Sequence, residues 1–228
     1  MQGKLRGWIA FWRRFGTPAV LLRLLDRVAG RVLGLRIIKV VWLDRERLSA
    51  ELAPPPGFVG RFLSPDEVRR FAANPVYELM PELAQRIESR RDFCFGAMTG
   101  DRLACYVWYA LGSIEPEHAL GVAMSYPAHV AYTYKGFTHP DYRGRRLYPF
   151  TVAAAMSQLA PLGVTRLVAV VEWTNWASWR SMRRMGFECL GHIVRFGWGK
   201  AALWLYPREP HRRGVQLGPH ARGRAPAN

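Results

Sequence analysis

Residues 137–150 read FTHPDYRGRRLYPF, and residues 167–191 read LVAVVEWTNWASWRSMRRMGFECLG. The first stretch leaves a Tyr- and Thr-rich strand at Thr138, His139 and Pro140, passes through a turn at residues 141–146, and enters a helix. A strand-to-helix turn containing glycine leaves backbone N–H groups unpaired at the positive end of a helix dipole, and such a turn binds phosphate without needing particular side chains. Arg143, Arg145 and Arg146 add charge that a diphosphate can use. Taken alone, the turn also fits a solvated basic loop. The second stretch begins as a short apolar strand, Leu167 to Val171, of the kind buried on both faces. It continues as a helix from Asn175 to Met185, stopped at Gly186.

Around these stretches the chain alternates in a consistent order. Strands are expected at Phe58 to Leu63, at Phe93 to Met98 and Leu103 to Leu111 on either side of Thr99-Gly100-Asp101, and at Val130 to Thr138. Two more close the domain, Phe187 to Phe196 and Ala201 to Tyr206. Ser64-Pro65-Asp66-Glu67 opens a helix with a cap, a proline and two first-turn acids, a second helix runs from Pro81 to Arg91, and a third from Arg145 to Leu162. This order predicts a mixed α/β sheet domain over residues 57–206. Pro54-Pro55-Pro56-Gly57 is a rigid break, taken as the boundary of an N-terminal extension at residues 1–50. Residues 207–228, rich in Gly, Pro and Arg, are expected to be a disordered basic tail.

Composition narrows the classes. With 228 residues, 50% hydrophobic and 13% aromatic, the chain can fill one core and is neither fibrous nor disordered. No uncharged apolar run reaches the ~18 residues of a membrane span. Three cysteines without CxxC spacing and six histidines without an HxxxH pair argue against a disulfide framework and against a metal site. Reduced thiols in a cytoplasmic protein follow. Cys105 and Cys189 read as core.

The net charge of +16 is concentrated at the ends: residues 1–47 hold 11 basic and 3 acidic side chains. Thr17-Pro18 reads as a helix start and Gly34 as its stop. Between them Leu21, Leu22, Leu24, Leu25, Val28, Ala29, Val32 and Leu33 share half of the helical wheel, with Arg23, Arg27 and Arg31 on the other half beside Asp26 and Gly30. Trp8, Phe11, Trp12 and Phe15 precede them among Lys4, Arg6, Arg13 and Arg14. Two readings stay open: an interfacial helix on an anionic membrane surface, or a helix packing its apolar face on the domain's own core. No nucleic-acid motif is present.

The sequence resembles the GNAT (Gcn5-related N-acetyltransferase) superfamily. The resemblance rests on His139-Pro140-Asp141-Tyr142-Arg143-Gly144-Arg145, which is similar to the start of that superfamily's pyrophosphate loop. It rests also on Asn175-x-x-Ser178, about thirty residues later, followed by Met185-Gly186-Phe187. It implies a GNAT-like, mostly antiparallel sheet with two splayed parallel strands, flanked by helices. It further implies an acyl-CoA-dependent N-acyltransferase using acetyl-CoA, or another acyl-CoA, as co-substrate, with no metal. Backbone groups at Phe137 and Thr138 would hold the pantetheine arm. The amides of Arg143, Gly144, Arg145, Arg146, Leu147 and Tyr148 would take the pyrophosphate, and Asn175 and Ser178 would flank the arm. The reaction would be direct attack of an amine on the thioester.

Three positions depart from the superfamily's pattern. Arg146 and Tyr148 stand where its loop has later glycines, and Met182 stands where a tyrosine often donates to the leaving thiolate. Glu172, at the end of the apolar strand beside Trp173 and Trp176, is the expected general base, with Arg180 as a structural partner in the competing reading. Tyr106, Trp108, Tyr132 and Tyr134 are expected on the acceptor side or in the core. Glu115, Glu117 and His118 read as a solvated loop that can attract a cation. The acceptor is an amine of unspecified identity. The alternative function is a catalytically inactive GNAT-fold module bound to a membrane surface or another polyanion. A location peripheral to the inner face of a membrane joins the two.

Overall fold

The computed structural model describes residues 2–48 and 53–218, and before Phe15 the only side chain it describes is that of Trp12. Helix α1 (Gln2–Val32) is broken at Gly16, whose φ of 80° and ψ of 173° are not helical. The second half therefore starts at Thr17-Pro18, as the sequence predicts. Strands β1 (Arg36–Asp44) and β2 (Val59–Phe62) follow, then helices α2 (Pro65–Ala72) and α3 (Ala84–Glu88). Next come β3 (Asp92–Thr99), β4 (Arg102–Leu111), the short β5 (Ser113–Ile114) and β6 (Ala123–Ser125), and β7 (Val130–Thr138). Helix α4 (Leu147–Leu159), β8 (Arg166–Glu172), α5 (Trp176–Arg184), β9 (Glu188–Phe196) and β10 (Leu203–Leu205) complete the region read from sequence. Helix α6 (Arg208–Arg212) and β11 (Gln216–Gly218) come last.

Local chemistry explains the element ends. Ser64 caps α2 through the Glu67 amide while the Glu67 carboxylate accepts from the Ser64 amide, a reciprocal box that satisfies two orphan donors. The end of α1 is closed by the Leu35 amide donating back to the Ala29 carbonyl across Gly34. Gly34 has φ +62°, and a Cβ there would lie 2.3 Å from the Gly197 carbonyl oxygen, so only glycine fits this crossing.

Among the described residues the main sheet has eight strands in the order β10-β9-β1-β8-β7-β4-β3-β2, and a smaller sheet pairs β11-β6-β5. β7 and β8 are parallel, and the other pairs of the main sheet are antiparallel. One face packs on α4 and α5 through Val152, Met156, Met182 and Phe187. The opposite face is covered by α2, α3 and the small sheet through Val68, Phe71, Ala84 and Met124.

Two expected boundaries differ from the structure. β1, assigned by sequence to the extension at 1–50, lies inside the main sheet between β8 and β9. Residues 38–43 are all buried, which is the signature of a central strand covered on both faces. The proline-rich break is a connection to β2 and not the edge of a separate unit. Residues 207–218, expected as the start of a disordered tail, form α6 and β11. Pro210 and Val215 are buried, Arg213 bonds Glu188 at 2.6 Å, and its guanidinium lies over the Trp42 ring. A few apolar anchors and one ion pair hold a segment that its composition alone describes as polar. Residues 219–228 lie outside the described part.

Candidate active site: a cleft between diverging strands

β7 and β8 pair over only three positions, Val130–Tyr132 against Arg166–Val168. Beyond them a bulge bends β7: Lys135 and Gly136 together oppose Val107 of β4, and Lys135 has φ 46°. A bulge adds a residue and increases local twist, so the second half of β7 turns away from β8. The edge of β7 past Tyr132 then carries main-chain groups that β8 does not satisfy. The opening is a cleft of about 770 Å³ with Phe137 and Thr138 on one wall and residues 169–172 on the other.

The turn after β7 sits at the mouth of this cleft. Arg143 lines it and donates from Nε to the Thr138 carbonyl at 3.2 Å, fixing the strand end. Among the described residues, no backbone hydrogen bond engages the amides of residues 144–148. Gly144 has φ +83° with open space where a Cβ would stand, and Arg146 has φ 57° as the N-cap residue of α4. A non-glycine residue in the left-handed region is strained, so the loop keeps a glycine-like bend despite its arginine. The Arg146 side chain is exposed and does not line the cleft. Arg145 lies over the Phe58 and Tyr142 rings, and Leu147 is buried beneath them beside Cys105. Residues 143–148 therefore split by role: one cleft-lining arginine, a run of unbonded amides, and one core anchor.

Tyr148 does line the cleft, with its ring on β7: a Cβ at Gly136 would meet it at 2.5 Å. The missing small residue at 148 is thus accommodated by a missing side chain at 136. On the far wall the Asn175 side chain caps α5 by accepting from the Ser178 amide at 3.2 Å, and Asn175, Ser178 and Met182 all line the cleft. Cys105 lies below, between Thr138 and Thr151, and burial pushes its thiol up to about 11, which makes it a core group. Cys189, also expected as core, is exposed on β9.

The other end of the cleft is lined by Tyr132, Tyr134, His118 and Glu78. Tyr106 and Trp108 share the sheet face but are fully buried. Asp92 is also fully buried. It accepts from Arg86 Nε and Nη2 and from the Tyr134 hydroxyl, and Arg86 continues to Glu115 at 2.8 Å. This network fixes Tyr134 below and the residue 115–118 turn beside it. The His118 ring lies 5.8 Å from that of Tyr134. Burial first, and then the Arg86 charge, hold the imidazole below its ordinary value, against the opposing pull of Asp92, Glu115 and Glu117. Sequence reading placed His118 in a solvated loop. A lone histidine in a turn carries no signal, and only the fold brings it to the cleft.

Glu172 lines the cleft at the end of β8, but not in the expected surroundings. Its carboxylate is about half exposed and accepts from Arg36 Nη2 at 2.9 Å, while Arg36 Nη1 donates to the Leu120 carbonyl. The partner is an arginine from β1 and not Arg180. The indole of Trp173 points to Asp26 of α1 at 2.6 Å, so it does not close over Glu172. Among the described residues, no three His, Cys, Asp or Glu side chains converge as a metal site would need.

The cleft, its bulged wall and the turn-plus-helix at its mouth define the GNAT fold. Three solved structures share it: a GCN5-related N-acetyltransferase from Kribbella flavida (15% identity, TM-score 0.50, 73% of this chain and 62% of that one), an acetyltransferase of the GNAT family from Colwellia psychrerythraea (15%, 0.50, 72% and 57%), and the tandem GNAT protein from the clavulanic acid biosynthesis pathway (18%, 0.50, 75% and 53%). The likeness is one of fold, and the chain spans less than two thirds of the length of each. No family model matches the sequence, and no curated protein matches it.

Proposed function

We propose that the protein transfers an acyl group, acetyl in the simplest case, from a coenzyme A thioester to an amine. One observation carries this reading: the unpaired edge of β7 lines a cleft that the following turn borders through Arg143 and Tyr148, and the amides of residues 144–148 in that turn make no backbone hydrogen bond. The turn suits a diphosphate and the strand edge suits the amide groups of a pantetheine arm. The coenzyme, when bound, supplies an activated thioester. Arg143 would neutralise phosphate charge, and Asn175 and Ser178 would bound the arm. The acceptor enters from the Tyr132–Tyr134 end, where Glu172 attracts its ammonium form. The acceptor loses one proton to solvent before its lone pair attacks the thioester carbonyl, and His118 takes the second proton as the C–N bond forms. The C–S bond breaks to release coenzyme A, whose thiolate is protonated from solvent. Tyr134, held by Asp92, orients that imidazole.

The reading is tested by thiol release from acetyl-CoA in the presence of primary amines. Arg143→Glu is expected to raise the KM for acetyl-CoA about ten- to a hundredfold, the size of a lost charge-assisted phosphate contact. An unchanged KM would place the coenzyme elsewhere. Coenzyme binding without amine-dependent release by any acceptor would favour a module that kept the fold without catalysis.

A further inference from the structure

The second half of α1 packs on the domain the wrong way round for a soluble helix. Its inward side carries Ala19, Leu22, Asp26, Ala29 and Gly30, and Asp26 accepts from the Trp173 indole and from the Thr174 hydroxyl at 3.3 Å. Its outward side carries Leu21, Leu25, Val28 and Val32, exposed by 54%, 64%, 58% and 68%. Of the apolar face, only Leu22 and Ala29 turn toward the domain, and its larger part does not cover the domain's own core. The face also continues beyond the helix. The Gly197 amide donates to the Leu33 carbonyl at 2.9 Å, joining the helix end to the β9–β10 turn, where Phe196, Trp198, Leu203 and Leu205 are all about half exposed or more. Leu203 stands directly across from Phe196, on the same side of the sheet.

An apolar surface assembled from two separate elements needs a cover. Charge says which. Arg27 and Arg31 flank the stripe, and the first 47 residues hold 11 basic against 3 acidic side chains. Two copies paired through this face would bring the same arginines together, which opposes self-association. An anionic bilayer instead neutralises them while its acyl boundary takes the leucines and valines, with Trp12 and Trp198 at headgroup depth. Among the described residues no helix is long and apolar enough to cross a membrane.

We propose that this face seats the protein on an anionic lipid bilayer. The polar side of α1 then becomes the link to the cleft. Arg23, Asp26 and Arg27 wall a cavity of about 530 Å³ with Glu172, Thr174 and Trp176, and Glu172 also lines the main cleft. The bilayer-facing helix and the acceptor end of the cleft are two sides of one structure, so an acceptor displayed at a lipid surface reaches the cleft without leaving it. The seating itself is independent of the acyl-transfer reading.

The test is flotation of the full chain with phosphatidylcholine vesicles, with and without phosphatidylglycerol, alongside sedimentation in lipid-free buffer. The chain should float with the anionic vesicles, float poorly with the neutral ones, and detach in high salt. Val28→Glu with Val32→Glu should cut vesicle partitioning about tenfold or more, and Arg31→Glu by at least about fivefold. All three positions are solvent-facing, so an unchanged melting temperature would show that folding is intact. Equal binding to neutral vesicles, or full binding by the Val28/Val32 variant, would overturn the proposal. So would a lipid-free dimer that Val28→Glu dissociates, because that result would name a second copy as the cover.

Discussion

Replacing His118 with alanine should lower kcat about a hundred- to ten-thousandfold, the range expected for loss of a positioned general base. The KM for acetyl-CoA should stay nearly constant, because His118 lies at the Tyr132–Tyr134 end of the cleft and the amide-lined turn at the other. The pH profile supplies the sign. Only the neutral imidazole accepts a proton, so activity falls as pH drops through the His118 value. Burial and Arg86 hold that value below about 6.5, while Asp92, Glu115 and Glu117 pull the other way. The wild-type profile should therefore show an acid limb below about pH 6.5, measured with a weakly basic acceptor amine whose own ionisation lies well below it. The alanine variant should lack that limb. Should the limb persist in the variant and disappear in Glu172→Gln, the carboxylate at the end of β8 is the base and His118 is a wall residue.

Asp92→Ala should be the most destabilising single change in the acceptor half. Asp92 is fully exposure-free and its partner Arg86 only 15% exposed, so truncation leaves a largely buried guanidinium without its main counter-ion and the Tyr134 hydroxyl without an acceptor. Breaking one side of such a pair costs about 3–5 kcal/mol. In a chain of this size that lowers the melting temperature by roughly 6–20 °C. Thermal unfolding followed by circular dichroism reads the shift directly. Because Arg86 also holds Glu115, the same change should loosen the turn that carries His118, and kcat should fall further than the loss of folded protein explains. A stable variant with wild-type kcat would show that the network is decoration on the site and does not position it.

The parts of this structure legible in the sequence are those whose physics is local. The Ser64 box, the stop at Gly34, the hairpin around Gly100 and the turn after Thr138 are each written within a few residues of one another, and each is where the spacing places it. What was not legible depends on pairing at a distance. β1 falls, by sequence, in the extension at residues 1–50, and its seat between β8 and β9 is set by partners more than a hundred residues away. Pro210 and Val215 look like tail residues until β11 finds β6. In the site, the resemblance implies a place beside the cleft for Arg143, Asn175 and Ser178, and all three line it. The exchange between Gly136 and Tyr148 is not legible in this way, because nothing near residue 148 in the chain shows that the strand facing it lacks a side chain. The surroundings of Glu172 are hidden for the same reason: its neighbours in sequence are tryptophans, but its partner in space is Arg36.

The central claim is that residues 144–148 and the free edge of β7 form one binding site for an acyl-coenzyme A. Calorimetric titration of the full chain with acetyl-CoA tests it most directly. The account predicts saturable one-to-one binding with a Kd on the order of micromolar, about −8 kcal/mol, competed by free coenzyme A and weakened in Arg143→Glu. Titration heats no larger than dilution, or binding that vanishes in moderate salt and ignores the pantetheine arm, would contradict it.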